Sequence, residues 1–186
     1  MNGLCLDEDL QALMVAMQSD EGSDLAQVDR LITDHPDDPR LHFLRGSILA
    51  AIGRPIEALP ALRRAVELAP DFSIARFQLG FFQLTSGEAA NALSTWGPLA
   101  LLADNHYLRS FVAGLTHLIR DEFAEAQTHL RAGIEANLEN PPLNRDMQLI
   151  LDQIAVLLSK PAGSTDETAS ATSFLLDQLS NRGSVH

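Results

Sequence analysis

Six histidines, one cysteine and twenty-five carboxylates are the side chains with the most capacity for chemistry here. His35, His42, His106, His117, His129 and His186 show no dense ligand spacing with one another or with Cys5, as a zinc site would, and His117 and His129 fall on two different predicted helices. No metal site is read from them. Asp34, Asp37 and Asp38 crowd around His35 in one turn, where helix ending and capping account for them. Cys5 has no second cysteine to pair with, suits a reducing compartment, and reads as a small apolar residue. The glycines do not cluster after a strand as a phosphate loop requires, and no serine or threonine has the setting of a nucleophile elbow. We assign no catalytic residue, no metal ligand and no cofactor, and the chain is not read as an enzyme.

The charge balance narrows the partners. Thirteen basic residues against twenty-five acidic ones give a formal charge of -12, which would repel a polyphosphate backbone, so nucleic acid is not an expected partner. With 186 residues, 46% of them hydrophobic, the chain can bury a core without a metal or disulfides. Residues 1–18 carry no lysine or arginine, unlike the start of a secretory signal, and no apolar run reaches the length of a membrane span. The expected location is cytoplasmic. Lys160 is the only lysine, which hints at a GC-rich, bacterial source.

The elements that must position any site are set by self-similarity. Gly46, Gly80 and Gly114 recur at an interval of 34, and so do Ala58, Ala92 and Ala126, twelve residues behind them. Gly53, Gly87 and Asp121 form a further column, and Leu62, Trp96 and Leu130 another. Within each copy the apolar spacing predicts two helices: about 40–51 then 55–69, about 73–85 then 88–96, and about 107–119 then 122–136. Gly53 ends the first helix by accepting a left-handed backbone, and Pro55 suits the first turn of the next. Two antiparallel helices approach closely where small residues cross, so Gly46 is expected to meet Ala58, Gly80 to meet Ala92, and Gly114 to meet Ala126. Gly97-Pro98 should shorten or kink the second helix of the middle copy.

These columns resemble the tetratricopeptide repeat family. The matching residues are Gly46, Gly53, Glu57, Ala58, Ala65, Leu68 and Pro70 in the first copy; Ala75, Leu79, Gly80, Gly87 and Ala92 in the second; and Gly114, Phe123, Glu125, Ala126 and Leu130 in the third. The resemblance covers residues 39–140; it departs at Trp96-Gly97-Pro98, and Leu138 replaces the closing proline of the third copy. It implies an all-α fold, a tetratricopeptide-type solenoid of stacked antiparallel helix hairpins with a C-terminal capping helix. The repeats would be 39–72, 73–106 and 107–140. Residues 1–38 would form a degenerate leading hairpin, with Ala12 on the glycine column and Pro36 closing it. Residues 141–160 would cap the stack through Leu143, Met147, Ile150, Leu151, Ile154 and Leu158 on one stripe, and 161–186 would be a flexible tail with a short apolar helix candidate at 174–179.

In this family the first helices of successive hairpins line a concave face. By register that face holds Phe43 in the first copy, Ile74, Phe77, Phe81 and Leu84 in the second, and Leu108, Phe111 and Leu115 in the third. The basic clamp by which related domains hold acidic chaperone tails is missing, since Phe43, Ser47, Gln78, Leu108 and Val112 stand at those positions. An apolar face of this size would exceed what a monomer leaves uncovered. The expected function is therefore a protein–protein interaction scaffold or adaptor that takes an apolar or amphipathic segment of a partner protein in the groove. Three alternatives stay open: a secretion-type chaperone for an aggregation-prone partner, a regulatory subunit of an enzyme, and a groove filled by the chain's own C-terminal segment or by self-association through it.

Overall fold

A computed structural model describes residues 3–16 and 24–159. Among these, every regular element is a helix: α1 (Asp7–Ala16), α2 (Asp24–Asp34), α3 (Pro39–Ala51), α4 (Pro55–Leu68), α5 (Ser73–Thr85), α6 (Ala89–Trp96), α7 (Tyr107–Ile119), α8 (Phe123–Ala136) and α9 (Pro141–Ser159), with a 3-10 turn over Gly97–Leu101. The expected apolar helix at 174–179 lies outside the described residues. Two compact units are present, one up to Leu79 and one from Gly80, so the division falls inside α5.

In the first unit the core gathers Cys5, Leu10, Leu13, Val28, Leu41, Leu44 and Ile48, with Leu25, Leu31, Ile32 and Phe43 packed against it. Proline opens both α3 and α4, where the missing N–H costs nothing because the first turn has no intrahelical partner for it. Asp38 caps α3 by accepting from the Arg40 N–H. The α3–α4 turn contains Gly53 at φ 70, as its column predicts. Gly46 is buried, and a Cβ built there would lie 2.7 Å from Leu62 Cγ on α4. The side chain that fills this crossing is therefore Leu62, with Ala58 fully buried one turn before it. The reason is geometric: a helical side chain lies back over the preceding turn, so a residue four places later covers the crossing. Ala12 is exposed and Leu13 is buried, so α1 does not present Ala12 as a counterpart of the glycines.

The second unit repeats this interlock. A Cβ on Gly80 would lie 2.6 Å from Trp96 Cδ1, and one on Gly114 would lie 2.8 Å from Leu130 Cγ and 3.1 Å from the Ala126 carbonyl oxygen. Ala92 and Ala126 are fully buried beside these contacts, but the filling is done by Trp96 and Leu130. Gly133 adds a reciprocal notch, its missing side chain leaving room for the Phe111 ring. Gly87 has φ 82 and Asp121 has φ 58, so an aspartate in the third copy holds the left-handed turn that glycine holds in the other two. α6 stops at Trp96 after eight residues, and the Gly97-Pro98 pair continues as the 3-10 turn.

No proline closes α8. Asn137, buried, donates through Nδ2 to the Asn140 carbonyl and to Asn144 Oδ1, and its Oδ1 accepts from the Asn140 N–H. Asn144 in turn donates to the Asn137 carbonyl at 3.0 Å. This amide network turns the chain into α9, which buries Leu143, Met147, Ile150, Leu151 and Ile154. Leu158 is exposed and does not belong to that stripe.

Candidate protein-binding surface

In the first unit, α3 and the start of α5 lie side by side with their accessible faces adjoining. Phe43 and Phe72 pack with ring centroids 5.2 Å apart at 57°. One turn along α3, Ser47 Oγ lies 3.0 Å from Gln78 Oε1 and 3.0 Å from the Phe43 carbonyl, so its single proton has two acceptors. Phe43, Ser47, Phe72, Ile74 and Gln78 are all half-buried. Their rings and methyl groups are held in place yet reachable, and two amide or hydroxyl groups among them can turn to an incoming backbone. Such a surface, apolar with a few orienting polar groups and no charge at its centre, suits a peptide segment more than an ion.

Five of the eight residues expected on the groove are not on a surface. Phe77, Leu84, Leu108, Phe111 and Leu115 are each at most 1% exposed. Phe111 fills the notch at Gly133 and meets Tyr107 edge-on, with centroids 5.8 Å apart. The physical reason lies in the helical period. On α5, Ile74, Gln78 and Phe81 share one stripe at four- and three-residue spacing, whereas Phe77 and Leu84 lie on a neighbouring stripe turned inward. On α7 the equivalents Leu108 and Leu115 are themselves buried, while Val112 and Thr116 are half-buried. Phe43 and Ile74 in the first unit and Phe81 in the second stay partly accessible. Phe72 was not legible as a site residue, because it precedes α5 and obeys no helical spacing.

Among the described residues two histidines come together. His117 and His129 stack with centroids 5.2 Å apart and planes 4° from parallel, and His117 Nδ1 lies 2.6 Å from Glu122 Oε2. Parallel rings point their in-plane nitrogens side by side and not at one point, so this pair does not converge on an ion. Among the described residues no group of three histidine, cysteine, aspartate or glutamate side chains is placed to hold a metal. His106 instead caps α7, its Nδ1 accepting from the Leu108 N–H. Among the described residues no helix is long and apolar enough to cross a membrane.

Comparison with known proteins agrees with the helical hairpins. A family profile described as Tetratricopeptide repeat matches residues 25–71. A stretch of 68 residues is 35% identical to DnaJ homolog subfamily C member 3 of Rattus norvegicus, covering 37% of this chain and 14% of that protein. The chain thus spans only a small part of that relative's length. Residues 25–71 thus carry a tetratricopeptide repeat, and the glycine columns at one interval continue its helical-hairpin pattern through the described residues.

Proposed function

We propose that the chain is an adaptor whose repeats, 39–72, 73–106 and 107–140, sit between a leading hairpin at 1–38 and a capping helix at 141–160 and present their first helices to a partner protein. Tetratricopeptide repeats are protein–protein interaction scaffolds, and that general role is this chain's. The finer reading is that an apolar or amphipathic segment of the partner docks on the half-buried residues Phe43 and Ile74 of the first unit. The observation that supports it is the face formed by Phe43, Phe72, Ser47 and Gln78, which keeps aromatic area accessible beside unsaturated polar groups. Burial of such side chains drives docking at roughly 1.5 to 3 kcal/mol each before ordering costs are subtracted. Phe77 acts in this reading as buried support on α5, and Leu84, Leu108, Phe111 and Leu115 belong to the packed interior of the second unit. A secretion-type chaperone role and a regulatory role in an enzyme would use the same surface, and so would self-association through residues 174–179.

The test is affinity capture from the source cells with the wild-type chain and with a Phe43→Asp, Ile74→Asp variant. Phe77→Asp would not serve, because a carboxylate at a buried site would unfold the helix pair. The reading requires proteins retained by the wild type and lost from the variant at unchanged helix content. Identical capture by both overturns it.

A further inference from the structure

The segment before α1 is held by its backbone. Asp38 Oδ2 accepts from the Cys5 N–H at 2.9 Å, Arg40 Nη2 donates to the Cys5 carbonyl at 2.7 Å, and His35 Nδ1 donates to the Gly3 carbonyl at 2.7 Å. Arg40 Nη1 closes over the segment to Asp7 Oδ1 at 2.8 Å. Alternate residues face opposite ways: Cys5 is buried in the core, whereas Leu4 and Leu6 are exposed. This is the pattern of an extended peptide laid into a slot, in which main-chain bonds hold and one side-chain pocket selects.

The slot does not depend on the segment for its shape. Asp38 Oδ1 accepts from both the Arg40 N–H and Arg40 Nε, each at 3.0 Å, and Oδ2 also accepts from Arg40 Nη2 at 2.8 Å. Those three bonds join neighbours at the start of α3 and survive if residues 3–6 leave. What leaves with the segment is limited: one buried side chain, the three main-chain bonds to His35, Asp38 and Arg40, and the two that the Leu6 carbonyl accepts from the Asp9 and Leu10 N–H groups, from a stretch with no regular structure. Segments with few buried contacts open at lower free energy than the fold as a whole.

We propose that residues 3–6 are a releasable strap, and that the slot formed by His35, Asp38 and Arg40 is a binding site for an extended peptide with a small side chain at one position, occupied in the resting molecule by Cys5, whereas Gly3 faces open space. The slot reads a main-chain N–H and C=O, so it is indifferent to the outward residues. The pocket at Cys5 admits a small apolar side chain and excludes a large one.

Cys5 supplies the readout in the full chain, because its thiol reacts with an aromatic disulfide reagent only when the strap is out. Labelling is expected to run at least about tenfold faster than global unfolding, and Arg40→Ala should speed it by about a further tenfold at unchanged helix content. If Arg40→Ala loses helix, Asp7→Ala removes the outer bond alone and should speed labelling severalfold. A synthetic peptide of residues 2–9 carrying Cys5→Ala, at about 1 mM, should accelerate labelling by capturing the vacated slot. The same peptide with Cys5→Trp should not. Labelling no faster than global unfolding, or indifference to the Cys5→Ala peptide, overturns the proposal. Neither result bears on the Phe43 surface, whose test reads a different variant.

Discussion

The Trp96 indole lies against Gly80 so closely that a methyl group on the glycine would sit 2.6 Å from Cδ1 of the ring. The ring is fully buried and cannot step aside. Gly80→Ala should therefore cost about 1–3 kcal/mol through overpacking, and Trp96→Ala about 3–5 kcal/mol through the cavity that it leaves. Urea unfolding followed by circular dichroism measures both, and a neutral Gly80→Ala would refute the interlock.

Gly87 and Gly97 form a matched pair for testing backbone against space. A Cβ at either would touch nothing within 4 Å beyond its chain neighbours, but Gly87 has φ 82 whereas Gly97 has φ -43. Gly87→Ala should lower stability by about 1–2 kcal/mol, because alanine resists the left-handed region. Gly97→Ala should cost a smaller amount, because its right-handed φ suits alanine although a Cβ before Pro98 crowds the proline ring in the helical region. Thermal melts of the two variants should move apart, and equal shifts would count against the turn assignment.

Asp38 links stability to acid. Burial by itself raises its pKa, but hydrogen bonds from the Arg40 side chain, the Cys5 N–H and the Arg40 N–H outweigh that and hold it below the usual carboxylate value. A lowered pKa means that the folded state binds the proton less readily than the unfolded one. The contribution is therefore complete above the ordinary aspartate pKa and is lost as pH falls through the lowered folded value. Asp38→Ala should cost about 3 kcal/mol at neutral pH, since it removes a cap and leaves the Arg40 charge without its buried partner. Asp38→Asn should flatten the acid limb of a stability profile taken from pH 7 downward, and an unchanged limb would show that Asp38 does not control it.

The amide turn before α9 gives a further expectation. Asn137→Ala leaves the Asn140 N–H and Asn144 without their partner in a buried setting, at a cost of about 1–3 kcal/mol. Hydrogen exchange should show α9 losing protection before α7 and α8. Uniform loss across the three helices would argue that the turn is not a separate fastening.

The architecture was legible because packing makes it periodic. Gly46, Gly80 and Gly114 recur since each lies under a large side chain at a crossing, and a periodic cause leaves a periodic trace. The alanine column lies buried at these crossings, with Ala126 against Gly114, but the large side chains that fill them, Leu62, Trp96 and Leu130, were not assigned, because spacing identifies which residues are small but not which neighbour leans over them. The left-handed turn at Asp121 was visible only through its column. Depth along a stripe was harder still: Phe77 and Phe81 are alike in type and four residues apart, yet only Phe81 keeps an accessible edge. The Asp38 and Arg40 hold on Cys5 had no signal at all, because a contact across 33 residues between an irregular segment and a helix start follows no period.

The described chain is thus fastened by two kinds of chemistry. At its beginning, a carboxylate and a guanidinium grip a strap, and at its end the carboxamides of Asn137 and Asn144 knot the last helix in place. Carboxamides neither gain nor lose protons in the range where carboxylates do, so acidification would unbuckle one extremity and leave the other tied, an asymmetry that a uniform stack of hairpins would not possess.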